Sequence, residues 1–230
     1  MEIYGLQKLT LLDYPGQVAC TLFTGGCNFR CPFCHNRSLV IQQTASIPLP
    51  PQEVELFLQR RRGLLDGVCI SGGEPLIQSD LVPFLHHLKE LGYQVKLDTN
   101  GSHPARLQQI IQSGTVDYLA MDIKNDLPHY AETVGLPLVD VGAIQSSIHL
   151  IRESGVDYEF RTTIVQGLHT PERIAGIGAM IPDANRYFLQ NFVDSGQLLD
   201  ESCQGCSPQE MRAMLEAVRP MVPQAELRGL

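Results

Sequence analysis

Three of the chain's seven cysteines fall within eight residues of the stretch FTGGCNFRCPFCHN, residues 23–36. They are Cys27, Cys31 and Cys34, spaced C-x-x-x-C-x-x-C. Thiolates at this spacing can be presented together by one short loop. Zinc takes four ligands in a structural site, or three plus water in a catalytic one. A cubane [4Fe–4S] cluster normally has a thiolate for each iron, so three cysteines leave one iron open to a substrate. Gly25 and Gly26 allow sharp turns, and Pro32 stiffens the loop. A zinc knuckle completed by a distant ligand such as His35 or Cys69 is the plainer alternative. An odd cysteine count with this clustering does not suggest a disulfide framework; it suits metal or redox chemistry in a reducing compartment.

Such a loop needs a scaffold. Short runs rich in β-branched residues at 17–23, 67–71, 93–99, 116–123, 157–165 and 186–192 read as strands. Amphipathic segments at 51–63, 79–92, 104–114, 139–155, 171–181 and 207–220 read as helices. Ser79 is the expected N-cap of the second helix; Ser207 and Pro208 are the expected N-cap and first residue of the last. Segments 36–50 and 193–206 read as loops. The alternation of about six strand–helix repeats predicts an α/β fold with a parallel sheet and helical crossovers. Six repeats are too few for a closed eight-fold barrel, which leaves a doubly wound sheet or an open, partial barrel. With 230 residues, 43% of them apolar, one domain over 1–230 is expected.

In such folds ligands bind at the carboxyl ends of the strands. The first predicted strand is followed by the cysteine loop, the second by SGGEP (71–75) and the third by DTNG (98–101). The fourth ends in MDIKN (121–125). The fifth carries Arg161 and leads into VQGLHT (165–170), and the sixth ends at Gln190 and Asn191. Polar and glycine-rich features thus collect after each strand, as a single composite site requires.

CNFRCPFCHN, with an aromatic residue before the last cysteine, resembles the cluster motif of radical S-adenosylmethionine (SAM) enzymes. It is most similar to the branch that activates glycyl-radical enzymes. LDYPGQVACTLFTGGC and the short chain resemble the anaerobic ribonucleoside-triphosphate reductase activating proteins. SGGEP, LDTNG and MDIK follow in the family's order. The resemblance runs over a core of about 11–192, with a C-terminal helix and tail in 193–230, and implies a partial (β/α)6 TIM-type barrel. It also implies that a reduced [4Fe–4S] cluster cleaves SAM to methionine and a 5′-deoxyadenosyl radical. That radical takes a hydrogen atom from the target, so no nucleophile-and-base pair is needed.

By the same resemblance Cys27, Cys31 and Cys34 are the cluster ligands, and Gly72, Gly73 and Glu74 hold the SAM amino group. Phe33, Cys34 and His35 lie on the adenine side, and Lys124 pairs with the SAM carboxylate. Asp122 and Arg161 lie near the cofactor. The related pyruvate formate-lyase activating enzyme holds a monovalent cation where these motifs meet. Asp98, Thr99 and Asp122 are the matching oxygen donors for Na+ or K+. The bland alternative has Asp98 capping its turn and Asp122 paired with Lys124. Where some relatives carry a histidine after the sixth strand, this chain has Gln190 and Asn191.

Cys20 and Cys69, inside predicted strands, read as small buried hydrophobes. Cys203 and Cys206 form a C-x-x-C before the last helix, whose N-terminus would lower the thiol pKa of Cys206. A net charge of −8, with no longer run of like charge than Arg60–Arg62, argues against a nucleic-acid partner. No stretch is long and apolar enough for a membrane span, and the N-terminus lacks a secretory pattern, so a cytoplasmic protein is expected. The segment between Cys34 and the helix near Gln52 contains no cysteine, which argues against relatives with ferredoxin-like insertions. The expected partners are a glycyl-radical enzyme, such as anaerobic ribonucleoside-triphosphate reductase, and a flavodoxin- or ferredoxin-type electron donor. A radical enzyme acting on a small molecule, such as a base-modification carboxylate synthase, and a non-catalytic iron–sulfur or zinc protein are the competing readings.

Overall fold

The computed structural model describes residues 1–41, 47–194, 196 and 198–229. The two segments read as loops, 36–50 and 193–206, therefore lie partly outside the described residues. In chain order the elements are β1 (Ile3–Thr10), β2 (Ala19–Thr24), α1 (Arg37–Val40), α2 (Pro51–Arg61), β3 (Gly67–Gly72) and α3 (Leu81–Glu90). There follow β4 (Gln94–Thr99), α4 (Pro104–Ser113), β5 (Tyr118–Asp122), α5 (Tyr130–Thr133), α6 (Val141–Glu153) and β6 (Asp157–Ile164). The last are α7 (Pro171–Met180), β7 (Tyr187–Asn191), α8 (Pro208–Val218) and β8 (Ala225–Arg228). Among the described residues no helix is long and apolar enough to cross a membrane.

The chain forms two compact units. The first is Met1–Asn28, Ser38–Thr99 and Ala105–Leu119; the second is Phe29–Arg37, Asn100–Pro104 and Ala120–Leu230. Within each unit the strands lie side by side in chain order. In the first unit β2 and β3 pair in parallel, as do β3 and β4, and β1 is added antiparallel to β2. In the second unit β6 and β7 are parallel, as are β7 and β8. The α/β class with a mostly parallel sheet, expected from the alternation of patterns, is what forms.

The reasons are local and repeat along the chain. Val68, Cys69 and Ile70 of β3 are fully buried in succession, the unbroken apolar run of a strand covered on both faces. Leu81, Leu85 and Leu88 put one face of α3 inside, and Ile144, Ile148 and Ile151 do so for α6. Cys20 and Cys69 are buried as expected. Helix α8 starts at Pro208 behind Ser207, which forms a capping box with Glu210.

Three expectations need correction. Helix α3 is entered at Asp80, without a side-chain cap, rather than at Ser79. The segment 36–50 contains the single turn α1. The strands outnumber the six expected, because β1 and β8 flank them. β1 buries only its first and last residues, so no alternation shows, and the four residues AELR of β8 carry too short a pattern to register.

Candidate functional site

In the first unit the turn after β3 is pressed against the chain after β2. The Gly73 N–H donates to Thr24 O at 3.0 Å, and the Glu74 N–H to Gly26 O at 2.8 Å. A Cβ on Gly73 would lie 1.8 Å from Gly26 O, and one on Gly72 2.4 Å from Thr24 N. Gly72 also has a φ of 115°, which side chains rarely adopt. The glycines therefore let this turn lock onto the approach to Cys27. Glu74 supports the turn from beneath: it is fully buried, and its Oε1 accepts from the Leu76 N–H at 3.0 Å and the Thr99 hydroxyl at 2.8 Å.

Asp98, at the end of β4, has one oxygen on the Lys96 ammonium and the other accepting from Ser71 Oγ at 3.0 Å. Cys27 is half-buried and is not part of a disulfide.

In the second unit Cys31 is buried and Cys34 half-buried, and neither is part of a disulfide. Their loop is fixed by the backbone: Cys34 N donates to Cys31 O at 3.1 Å, and Arg30 N to Val134 O at 2.8 Å. Phe33 is buried. His35 lies nearly parallel to Phe192, with ring centroids 5.2 Å apart. Partial desolvation shifts its imidazole below the usual range; Asp194 pulls the other way and the Lys124 charge adds to the lowering.

The best-defined charges are those after β5. Lys124 Nζ meets Asp122 Oδ2 at 3.1 Å, and Arg161 Nε meets Asp122 Oδ1 at 2.9 Å. Burial pushes the Asp122 carboxyl up, but Arg161 and Lys124 outweigh it and hold it well below the usual range. Burial likewise opposes the Lys124 charge, and Asp122 and the nearby Cys31 sulfur restore it, so its ammonium titrates above the usual range. Arg161 is backed in turn: its guanidinium lies 3.8 Å from buried Glu159, whose other oxygen meets Arg228 of β8 at 3.1 Å.

Two residues that hold Lys124 had no local signal. The Lys124 N–H donates to the Tyr130 hydroxyl at 3.3 Å. Buried His169 accepts the Val165 N–H at Nδ1, 3.0 Å, which leaves Nε2 to donate to Lys124 O at 2.9 Å. The only hint of His169 was its place in VQGLHT. Asn191 is committed elsewhere: its side chain accepts from Cys206 N and donates to Cys206 O, both at 2.9 Å. The expected lowering of the Cys206 pKa does not occur. Burial raises it, and the Glu210 carboxylate in the capping box raises it further. Cys203 is also raised, by burial and then by Asp200.

A family model for the Radical SAM superfamily matches residues 21–177. A Methanocaldococcus jannaschii protein provisionally named a glycyl-radical enzyme activating enzyme is 32% identical over 196 residues, covering 83% of this chain and 79% of that protein. A 7-carboxy-7-deazaguanine synthase of Hyperthermus butylicus is 42% identical over 81 residues, covering 35% of this chain and 33% of that enzyme. Among solved structures, a domain of pyruvate-formate lyase-activating enzyme from Bacteroides vulgatus aligns with a TM-score of 0.58 at 18% identity, covering 71% of this chain and 99% of that one. That likeness speaks for the fold, and it carries the partial-barrel expectation. The cysteine loop, the strand-end motifs in their order and the matched span lead to one conclusion: the chain belongs to the radical SAM superfamily.

Proposed function

We propose that this protein activates a glycyl-radical enzyme by abstracting a glycine Cα hydrogen, and that its partner is an anaerobic ribonucleoside-triphosphate reductase. The activase reading is carried by the 32% identity that extends over 83% of the chain. The reductase as partner, with a flavodoxin or ferredoxin as electron donor, rests on the likeness of LDYPGQVACTLFTGGC to that branch. The donor set fits the cofactors of the family. Three closely spaced cysteines outside any disulfide suit iron, and partly exposed Lys124 suits a carboxylate.

Cys27, Cys31 and Cys34 would hold the [4Fe–4S] cluster, and Lys124 the SAM carboxylate. Gly72, Gly73 and Glu74 would shape the amino-group side, with Phe33, Cys34 and His35 toward adenine. When bound, the cluster and SAM would supply the one-electron reductive cleavage of the S–C5′ bond, with methionine leaving, that makes a hydrogen-abstracting radical available. The chain's own part is orientation. Asp122 sets Lys124 and Arg161, and Tyr130 and His169 fix the Lys124 backbone.

Anaerobic reconstitution with a candidate reductase, SAM and reductant should give a glycyl-radical signal in electron paramagnetic resonance, matched by 5′-deoxyadenosine. Cys31→Ala should lose cluster iron and cleavage together; full cleavage by that variant would remove the cysteine from the site. The partial match to a 7-carboxy-7-deazaguanine synthase favours a second reading, in which the substrate is a small molecule. Substrate-dependent cleavage with such a molecule, and none with any glycyl-radical enzyme, would establish it instead.

A further inference from the structure

We propose that Lys96 supplies, from within the chain, the positive charge that a bound Na+ or K+ would otherwise bring to Asp98, so that no metal cation is needed there. Lys96 lies two residues before Asp98 on β4, and side chains two apart share one face of a strand. It is fully buried, an uncommon place for a lysine. Its ammonium forms an ion pair with Asp98 Oδ1 and lies 3.9 Å from Cys69 Sγ and 6.0 Å from the centre of the Tyr118 ring.

The oxygen donors of this unit do not fit a metal ion. Hard cations gather several oxygens, and a second cation beside one is repelled by it. One Asp98 oxygen is on the ammonium, and the other accepts from Ser71 Oγ at 3.0 Å. The Thr99 hydroxyl is turned to Glu74 Oε1 at 2.8 Å. A metal ion on Asp98 would have to displace Lys96 or sit against its charge. An internal ammonium brings the same unit charge, but on a side chain tethered to the strand that carries the carboxylate. Asp98 is thus neutralised whatever the ionic composition of the medium. Lys96 acts here as a positioning residue for the end of β4. Only the link from Asp98 to cofactor binding rests on the proposed function.

The test is monovalent-cation dependence at constant ionic strength, in potassium, sodium or choline chloride. Cluster-free wild-type protein should unfold at the same temperature in all three, and reconstituted protein should bind SAM equally in all three. Lys96→Ala opens a space beside an uncompensated carboxylate. Its unfolding temperature should rise by about 2–4 °C when choline is replaced by potassium or sodium. The double variant Lys96→Met, Asp98→Asn removes both charges at similar volume and should show no such response. The wild-type arm decides even if Lys96→Ala does not fold: a selective stabilisation of wild type by Na+ or K+ overturns the proposal. So does a folded Lys96→Ala that ignores the cation. Failure to bind SAM under any condition would instead sink the proposed function and leave the unfolding comparison to judge Lys96.

Discussion

The two units each place a lysine and an aspartate two residues apart, and they use the pair differently. In the first unit the lysine comes before the carboxylate, inside β4. Its side chain is 0% exposed and that of Asp98 13%. In the second the order is reversed: Asp122 closes β5 and Lys124 lies past its end, with side chains 30% and 15% exposed. Reversal moves the lysine from the sheet interior to the loop beyond the strand. A cation in the interior can only neutralise its neighbour. A cation at the strand end can also meet a ligand from outside. The support differs to match: Lys96 has a sulfur and a ring beside its ammonium, whereas Lys124 has its backbone fixed by Tyr130 and His169.

The contrast breaks most visibly at Lys96. Lys96→Met should cost up to about 3 kcal/mol of stability, because it leaves half-buried Asp98 without its partner charge. A urea-unfolding midpoint like that of wild type would show that the pair is not coupled.

Lys124→Ala should act on the ligand instead. Loss of a charge-assisted contact of about 1.5–3 kcal/mol lowers SAM affinity by roughly ten- to a hundred-fold. Iron content should not change. An unaltered dissociation constant on fully loaded protein would take Lys124 out of the site.

Arg228→Ala sharpens the comparison from a distance. It removes the partner that steadies Glu159 behind Arg161. A partly exposed pair of this kind is worth about 1 kcal/mol. SAM affinity should fall several-fold less than for Lys124→Ala; an equal or larger fall would make Arg228, rather than Lys124, the main anchor.

The smallest effect is in the pH dependence. The Asp122 carboxyl titrates below its ordinary value of 3.8 in the folded protein, so its contribution is complete above that value and fades as pH falls through the folded pKa. Lys124 titrates above 10.5, so its share is complete below that value and is lost at higher pH. The stability gap between wild type and Asp122→Asn should therefore be flat from about pH 5 to 9 and narrow under stronger acid. A gap that changed across neutral pH would point to another group, such as His35.

The chemistry-bearing loop, the six strand–helix repeats and the start of α8 at Ser207–Pro208 were all legible in the residues. Each depends on neighbours a few positions away: cysteine spacing, apolar periodicity, a cap and its proline. The glycines of SGGEP were assigned to the cofactor by the resemblance, and their packing against another loop had no signal in the residues. The structure shows the lack of room against the backbone of Thr24 and Gly26.

Three features were decided only by tertiary contacts. β1 is a strand because β2 offers it an antiparallel edge, and β8 because β7 offers a parallel one. His169 reaches the Lys124 carbonyl from 45 residues away, a pairing no local pattern encodes. Cys206 sits before a helix, yet burial and then Glu210 shift its thiol upward. The sequence by itself determined which groups are available and in what order the strands present them. The folded chain decided which charges are buried, because burial and electrostatic strength depend on what other segments pack around a group, and that is set by contacts far apart in sequence.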